Sequence, residues 1–307
     1  MEFQSVDDVR KRLESVNYIP SREIATVVFL ASATNKPILV EGPAGAGKTE
    51  LARALARCMN RQKIRLQCYE GLDVNTSLYE WNYPRQILWM KQAEVCQWSP
   101  EAAGKGIFSP DFLIRRPLLE AIQNDSAEPP VLLIDEIDRS DEEFEAFLLE
   151  VLSDFQVTIP EIGTLKAKHR PRVILTSNRT RELHDALKRR CLYHWIDYPS
   201  LEKERRIVLA KVPGVQQTLL NQVCSFMQRV REKEFYKRPG IAETLDWVQA
   251  LMALGKEDLD PEAVQETLGC IFKYYEDLKQ VEEAGVHSFL GLLPRKEDLT
   301  GAQIPCA

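Results

Sequence analysis

The sequence predicts an α/β fold: a three-layer αβα core on a parallel sheet, followed by a smaller all-helical domain. Three observations predict it. Short apolar runs of strand length recur at Ile38–Val40, Lys63–Cys68, Val131–Ile134, Arg172–Thr176 and Leu192–Ile196. Stretches with helical spacing separate them, at Glu50–Cys58, Leu118–Gln123, Glu142–Leu152 and Glu182–Lys188. Apolar strands alternating with helices give a parallel sheet covered on both faces. After Pro199 the strands cease, and Glu202–Leu209, Thr218–Val230, Ala242–Leu254 and Pro261–Leu278 all read as helices.

Each element has a local reason. Val6–Val16 is an amphipathic helix ending near Pro20, and Ser21 caps the next, whose apolar face carries Ile24, Val27, Val28 and Leu30. Pro37 opens the buried strand Ile38–Val40, and Leu51, Ala54 and Leu55 recur at helical spacing behind the glycine-rich stretch. Phe155–Lys168 alternates Val157, Ile159 and Ile162 with polar residues around Gly163, as a β-hairpin or loop does. The expected domains are 1–199 for the core, 200–285 for the helical domain and 286–307 for a C-terminal tail, loosely held and without periodicity from Pro294 to Ala307.

Composition narrows the class. In 307 residues, 44% are hydrophobic and 28% charged, as in an ordinary globular protein. A net charge of -6 argues against broad electrostatic binding of nucleic acid or anionic lipid. No run is long and apolar enough to span a bilayer and no signal peptide opens the chain, so a cytoplasmic protein is expected. The seven cysteines form no C-x-x-C pair and the four histidines are scattered, so reduced, packed thiols are expected rather than a zinc site.

The chemistry concentrates at strand ends, where open α/β sheets bind ligands. Gly42-Pro43-Ala44-Gly45-Ala46-Gly47-Lys48-Thr49 follows the strand Ile38–Val40 and leads into a helix opening at Glu50. Backbone N–H groups of such a loop, with the helix dipole behind them, stabilise phosphate oxygens. Lys48 reaches the β- and γ-phosphates of ATP, and the Thr49 hydroxyl ligates Mg²⁺. The strand Val131–Ile134 delivers Asp135 to hold the magnesium through its water shell and Glu136 to orient and deprotonate the attacking water. Thr176-Ser177-Asn178 ends another strand, with an amide able to meet the γ-phosphate or the lytic water; asparagine also ends strands simply by favouring turns.

Taken together these residues resemble the AAA+ ATPases, with a P-loop NTPase core and a helical lid. The match is closest to the MoxR family, in the branch that accompanies carbon monoxide dehydrogenase and related molybdenum hydroxylases. It rests on Glu41–Ala54, Leu66–Asp73, Tyr79–Gln86, Ile134–Arg139, Ala186–Cys191 and Glu243–Trp247. The resemblance gives Asn178 the sensor-1 role. It also implies that an arginine just before the last sheet strand reaches a neighbouring subunit's ATP, with Arg190 first by position and Arg189 second. Two basic residues closing a helix against its dipole are the plainer account of that pair. One departure stands out. Alignment on Glu243 and Trp247 puts Ala242 where relatives carry a sensor-2 arginine, so either the lid couples differently or Arg238 substitutes.

The resemblance further implies a ring of identical subunits, a hexamer, that hydrolyses ATP to remodel a client metalloenzyme beside a partner with a von Willebrand factor A domain. Tyr79, Trp81, Tyr83, Trp89 and Trp98 form an aromatic patch where the family inserts a loop, and they either contact substrate or pack internally. A nucleic-acid motor of the same superfamily is the alternative; the acidic balance and the lack of a helix-turn-helix appendage count against it. A kinase or GTPase is disfavoured further: the guanine-reading N-K-x-D motif is absent, since Asn35-Lys36 runs into Pro37-Ile38.

Overall fold

The computed structural model describes residues 2–98 and 107–290. The chain divides into two compact units. The first takes the chain up to Val16, Pro20–Gly42 and Lys48–Ile196; the second takes Asn17–Ile19, the loop segment Pro43–Gly47 and the chain from Asp197 onward.

The first unit is the α/β body. Its elements run α1 (Val6–Ser15), α2 (Arg22–Thr34), β1 (Ile38–Glu41), α3 (Lys48–Cys58), β2 (Lys63–Gln67), α4 (Val74–Leu78), β3 (Tyr79–Trp81) and α5 (Tyr83–Val95). They continue through β4 (Leu113–Arg115), α6 (Pro117–Ile122), β5 (Val131–Asp135), α7 (Glu142–Asp154), β6 (Gln156–Ile159), β7 (Gly163–Lys166), β8 (Arg172–Ser177), α8 (Asp185–Arg190) and β9 (Leu192–Trp195). Five strands pair in parallel in the order β2-β5-β8-β1-β9. Strands β1 and β5 are buried along their whole length, as strands covered on both faces must be. Leu39, Leu132, Ile134 and Leu175 form the middle of the core, with Leu118, Leu119 and Leu148 packed on it from the helices. The hydroxyls of Ser5 and Ser21 accept from the backbone N–H of Asp8 and Ile24, and so start α1 and α2.

The hairpin expected in Phe155–Lys168 is β6 and β7, antiparallel, with Thr158 opposite Thr164. Helix α8 starts three residues after the expected Glu182, capped by the His184 side chain accepting from Ala186 N–H. The aromatic patch divides. Trp81 is buried and meets Tyr79 and Phe108 edge-on at centroid separations of 6.0 and 5.4 Å, whereas Tyr83 is exposed. Trp89 lies 5.7 Å from Phe112 and 4.9 Å from Trp98. Packing therefore accounts for Tyr79, Trp81 and Trp89, which lie in or against the core.

The second unit is helical: α9 (Leu201–Lys211), α10 (Gln217–Arg231), α11 (Ile241–Ala253), α12 (Pro261–Ile271), α13 (Tyr275–Ala284) and α14 (Val286–Leu290). The span expected as one helix over Pro261–Leu278 is two. Phe272 leaves helical geometry at φ -100, ψ 135 and buries its ring 4.9 Å from that of Phe235. Lys273 then folds back to donate to the Gly269 and Cys270 carbonyls, which the break leaves without helical donors. Trp247, Phe226 and Leu251 are fully buried at the centre, and the Trp247 indole N–H donates to Thr267 Oγ1 at 2.7 Å. Of the tail expected over 286–307, Val286–Leu290 is helix α14 with Phe289 buried in the helical core, and the stretch from Pro294 to Ala307 lies outside the described residues. Among the described residues no helix is long and apolar enough to cross a membrane.

Candidate functional site

The carboxyl ends of β5 and β8 and the start of α3 bring four of the expected residues together. Asp135 closes β5 and is 2% exposed. A carboxylate so deeply buried needs partners, and it has them. Its Oδ1 accepts from Thr49 Oγ1 at 3.0 Å and from Thr176 Oγ1 at 2.6 Å. Its Oδ2 accepts from the Arg65 guanidinium, Nε at 2.9 Å and Nη2 at 2.6 Å.

Glu136 follows in the left-handed region, φ 56 and ψ 51, where a residue with a Cβ sits at a cost. Its N–H donates to Thr176 Oγ1 at 2.9 Å, so a single threonine hydroxyl fixes both acidic residues. The side chain is half-exposed and meets three partners, one of them Arg139 Nη1 at 3.6 Å from its Oε2. Gln67 Nε2 donates to its Oε2 at 3.1 Å and Asn178 Nδ2 approaches its Oε1 at 3.4 Å. Asp138 ties the next strand end down, accepting at Oδ2 from Thr180 N at 2.9 Å and from Thr180 Oγ1 at 2.7 Å, two residues beyond Asn178.

In the glycine loop, Gly47 adopts φ 94, a conformation that only glycine takes without strain, directly before Lys48 opens α3. Lys48 Nζ donates to the Gly42 carbonyl at 2.8 Å. Burial lowers the pKa of this ammonium from its ordinary value, against the pull of Asp138, Asp135 and Glu136. Glu50 sits in the first turn of α3, paired with Arg53 at 3.1 Å. Pro43, Ala44, Gly45 and Ala46 belong with the second unit, where the Gly45 carbonyl accepts from Ile241 N–H at 3.0 Å.

Arg189 and Arg190 are exposed in the last turn of α8. Arg190 Nη1 donates to the Leu149 carbonyl at 2.7 Å, and neither arginine bonds to the acidic pair. Ala242 lies in the first turn of α11. Arg238 lines a cavity of the second unit with Pro43, Ala44 and Tyr198, and its carbonyl accepts from the Tyr198 hydroxyl at 3.3 Å.

Thr49 and Asp135 offer hard oxygen donors and few of them. That suits Mg²⁺, which keeps several waters and takes the rest of its shell from phosphate oxygens. The donor set therefore fits a magnesium nucleotide. Sequence reasoning overlooked Arg65 and Gln67, although both touch the acidic pair. No signal in the sequence marks them: they reach the site through register, in which β2 pairs with β5 so that Gln67 stands beside Asp135 and Arg65 shares its face two residues earlier.

The family model for the AAA domain, dynein-related subfamily, matches residues 37–191. An uncharacterized protein of Staphylococcus epidermidis is 27% identical over 227 residues, which cover 72% of this chain and 77% of that protein. An uncharacterized protein of Staphylococcus haemolyticus is 26% identical over 227 residues, with the same coverage of 72% and 77%. Among solved structures, a single-residue mutant of Thermotoga maritima RuvB is 15% identical, with a TM-score of 0.49 over 95% of this chain and 84% of that one. Another, described as the Thermotoga maritima RuvB Holliday junction branch migration motor, is 15% identical, with a TM-score of 0.44 over 87% and 71%.

Proposed function

This chain belongs to the dynein-related subfamily of AAA domains, and on that premise we propose that it hydrolyses ATP to ADP and phosphate to remodel a client protein. The observation that carries the hydrolytic part is the meeting of Thr49, Asp135, Glu136 and Asn178 at the carboxyl ends of the central strands. In this reading the loop amides and Lys48 hold the phosphates. Thr49 and Asp135 would hold magnesium, which would supply charge neutralisation to the phosphates. Glu136 takes a proton from the attacking water, and Asn178 and Gln67 hold the carboxylate that does so. Steady-state phosphate release tests it. Glu136→Gln should lower turnover by about 100-fold or more, the usual worth of a general base. A wild type no faster than the variant would end the hydrolytic reading.

The finer reading is a MoxR-type chaperone that matures a metalloenzyme of the molybdenum hydroxylase or carbon monoxide dehydrogenase kind. It assembles as a homo-oligomeric ring, a hexamer, and acts with a von Willebrand factor A domain partner, in the cytoplasm. Support comes from the stretches Leu66–Asp73, Tyr79–Gln86 and Glu243–Trp247, which resemble that family. The net charge of -6 counts against a nucleic-acid motor. Turnover should therefore be indifferent to added DNA at low salt, and DNA-stimulated, salt-sensitive hydrolysis would favour the motor instead.

A further inference from the structure

Asp135 has more claims on it than a metal-holding carboxylate needs. Two hydroxyls, from Thr49 and Thr176, serve Oδ1. Both Nε and Nη2 of Arg65 serve Oδ2. The guanidinium reaches in from the neighbouring strand with its own side chain 48% exposed, while that of Asp135 is 3% exposed. Arg65 Nη2 also bonds to Gln67 Oε1, and Gln67 Nε2 donates to Glu136. A single guanidinium thus neutralises the metal-holding carboxylate directly and reaches the general base through one amide.

A cation at Asp135 and a magnesium shell on the same carboxylate repel each other, and the burial of Asp135 weakens solvent screening there. We propose that Arg65 is a positioning residue that competes with the divalent cation for Asp135 and, through Gln67, ties the hold on Glu136 to that competition. The inference rests on the nucleotide-site reading above and deepens it. Metal enters at the expense of the Arg65–Asp135 pair. Once Arg65 shifts, Gln67 loses the guanidinium that fixes its oxygen, and its amide loosens on Glu136. The site then takes its metal most readily together with a nucleotide, whose phosphates supply the charge that outbids the arginine.

The test uses the full chain with Mn²⁺ and ADP, reading bound Mn²⁺ from the loss of the free-ion paramagnetic resonance signal. ADP affinity in EDTA is measured alongside with a fluorescent ADP derivative. In Arg65→Gln, Mn²⁺ should bind the ADP complex about tenfold more tightly than in wild type, a modest share of one charge–charge interaction at this range. Affinity for ADP in EDTA should be unchanged. Arg65→Lys, which keeps the charge but loses the planar fork, should fall between the two. Equal or weaker Mn²⁺ binding in Arg65→Gln, with ADP affinity in EDTA intact, overturns the proposal and leaves the nucleotide site standing. If Arg65→Gln fails to fold, Arg65→Lys decides, and Mn²⁺ affinity equal to wild type overturns it. A wild type that binds no ADP under either condition removes the nucleotide site, and the proposal with it.

Discussion

Cys191 and Cys224 lie where a thiolate is costly. Burial pushes both thiols up to about 12, and at Cys224 the nearby Glu204 adds to the rise. A pKa raised above 9 leaves less thiolate at any working pH, about a thousandfold less at pH 8, and only the thiolate attacks an alkylating agent. Cys96, by contrast, is exposed after α5. Iodoacetamide at pH 8 should therefore label Cys96 well before Cys191 or Cys224, and denaturant should erase the difference; equal labelling in the folded protein, read by mass spectrometry, would contradict the burial. At this scale the sequence announces some residues and hides others. Thr49, Asp135, Glu136 and Asn178 are legible because each stands at a strand end or a helix start, in chain order, beside apolar residues that need no other explanation. Arg65 and Gln67 are not, because alternating polar residues on a strand look the same whether they face water or a buried carboxylate. Only the pairing of β2 with β5 distinguishes the two, and pairing is a property of the fold.

Between elements, the most demanding contact is made by two glycines of the second unit. Gly240 precedes α11, its N–H donating to the Glu243 carboxylate at 2.8 Å, while the next N–H, of Ile241, donates to the Gly45 carbonyl at 3.0 Å. The Gly240 carbonyl is held in turn by Arg231 Nη2 at 3.1 Å, and Arg231 pairs with the buried Glu204 at 2.7 Å. Helix α11 thereby takes a backbone hold on the glycine loop three residues before Lys48. This contact runs through main-chain atoms, so neither Ala242 nor Arg238 advertises it. A Cβ on Gly240 would lie 2.6 Å from Gly45 Cα and from its carbonyl oxygen, all backbone, so something must shift. Gly240→Ala should lower the melting temperature by several degrees and weaken ADP binding severalfold. Gly269, inside α12 with nothing within 4 Å of its added Cβ, is the control: Gly269→Ala should be neutral or stabilising by up to about 1 kcal/mol. Thermal melts with and without ADP compare the two, and an unaffected Gly240→Ala would deny the close approach. Element boundaries show the same division as single residues. Strands β1, β5 and β8 follow from apolar runs, whereas the break at Phe272 follows from a ring finding its place against Phe235, which no periodicity announces.

For the molecule as a whole, the question is whether the proposed hydrolytic site is completed by a second copy of the chain. Within one chain Arg190 is tethered to the Leu149 carbonyl and Arg189 is exposed, and neither meets the acidic pair. Either of these two arginines, if it serves a γ-phosphate, serves one held by another copy of the chain. Subunit mixing separates these cases. Glu136→Gln lacks the base but keeps both arginines; Arg190→Ala keeps the base but lacks its arginine. Each alone should be nearly inactive, the arginine variant by about a thousandfold if it acts as trans arginines do. In a mixture, a subunit with an intact Glu136 can border one with an intact Arg190, so phosphate release should exceed the sum of the two preparations. An arginine acting within its own chain gives no such gain, because no composite site is then complete. Running Arg189→Ala in parallel assigns the role between the pair, since only the variant that complements Glu136→Gln contributes across the boundary. Gel filtration with ATP supplies the physical counterpart: complementation requires a species larger than the 35.2 kDa chain. Protein that stays monomeric at high concentration with ATP, while turning over at full rate, would place the whole reaction within one copy.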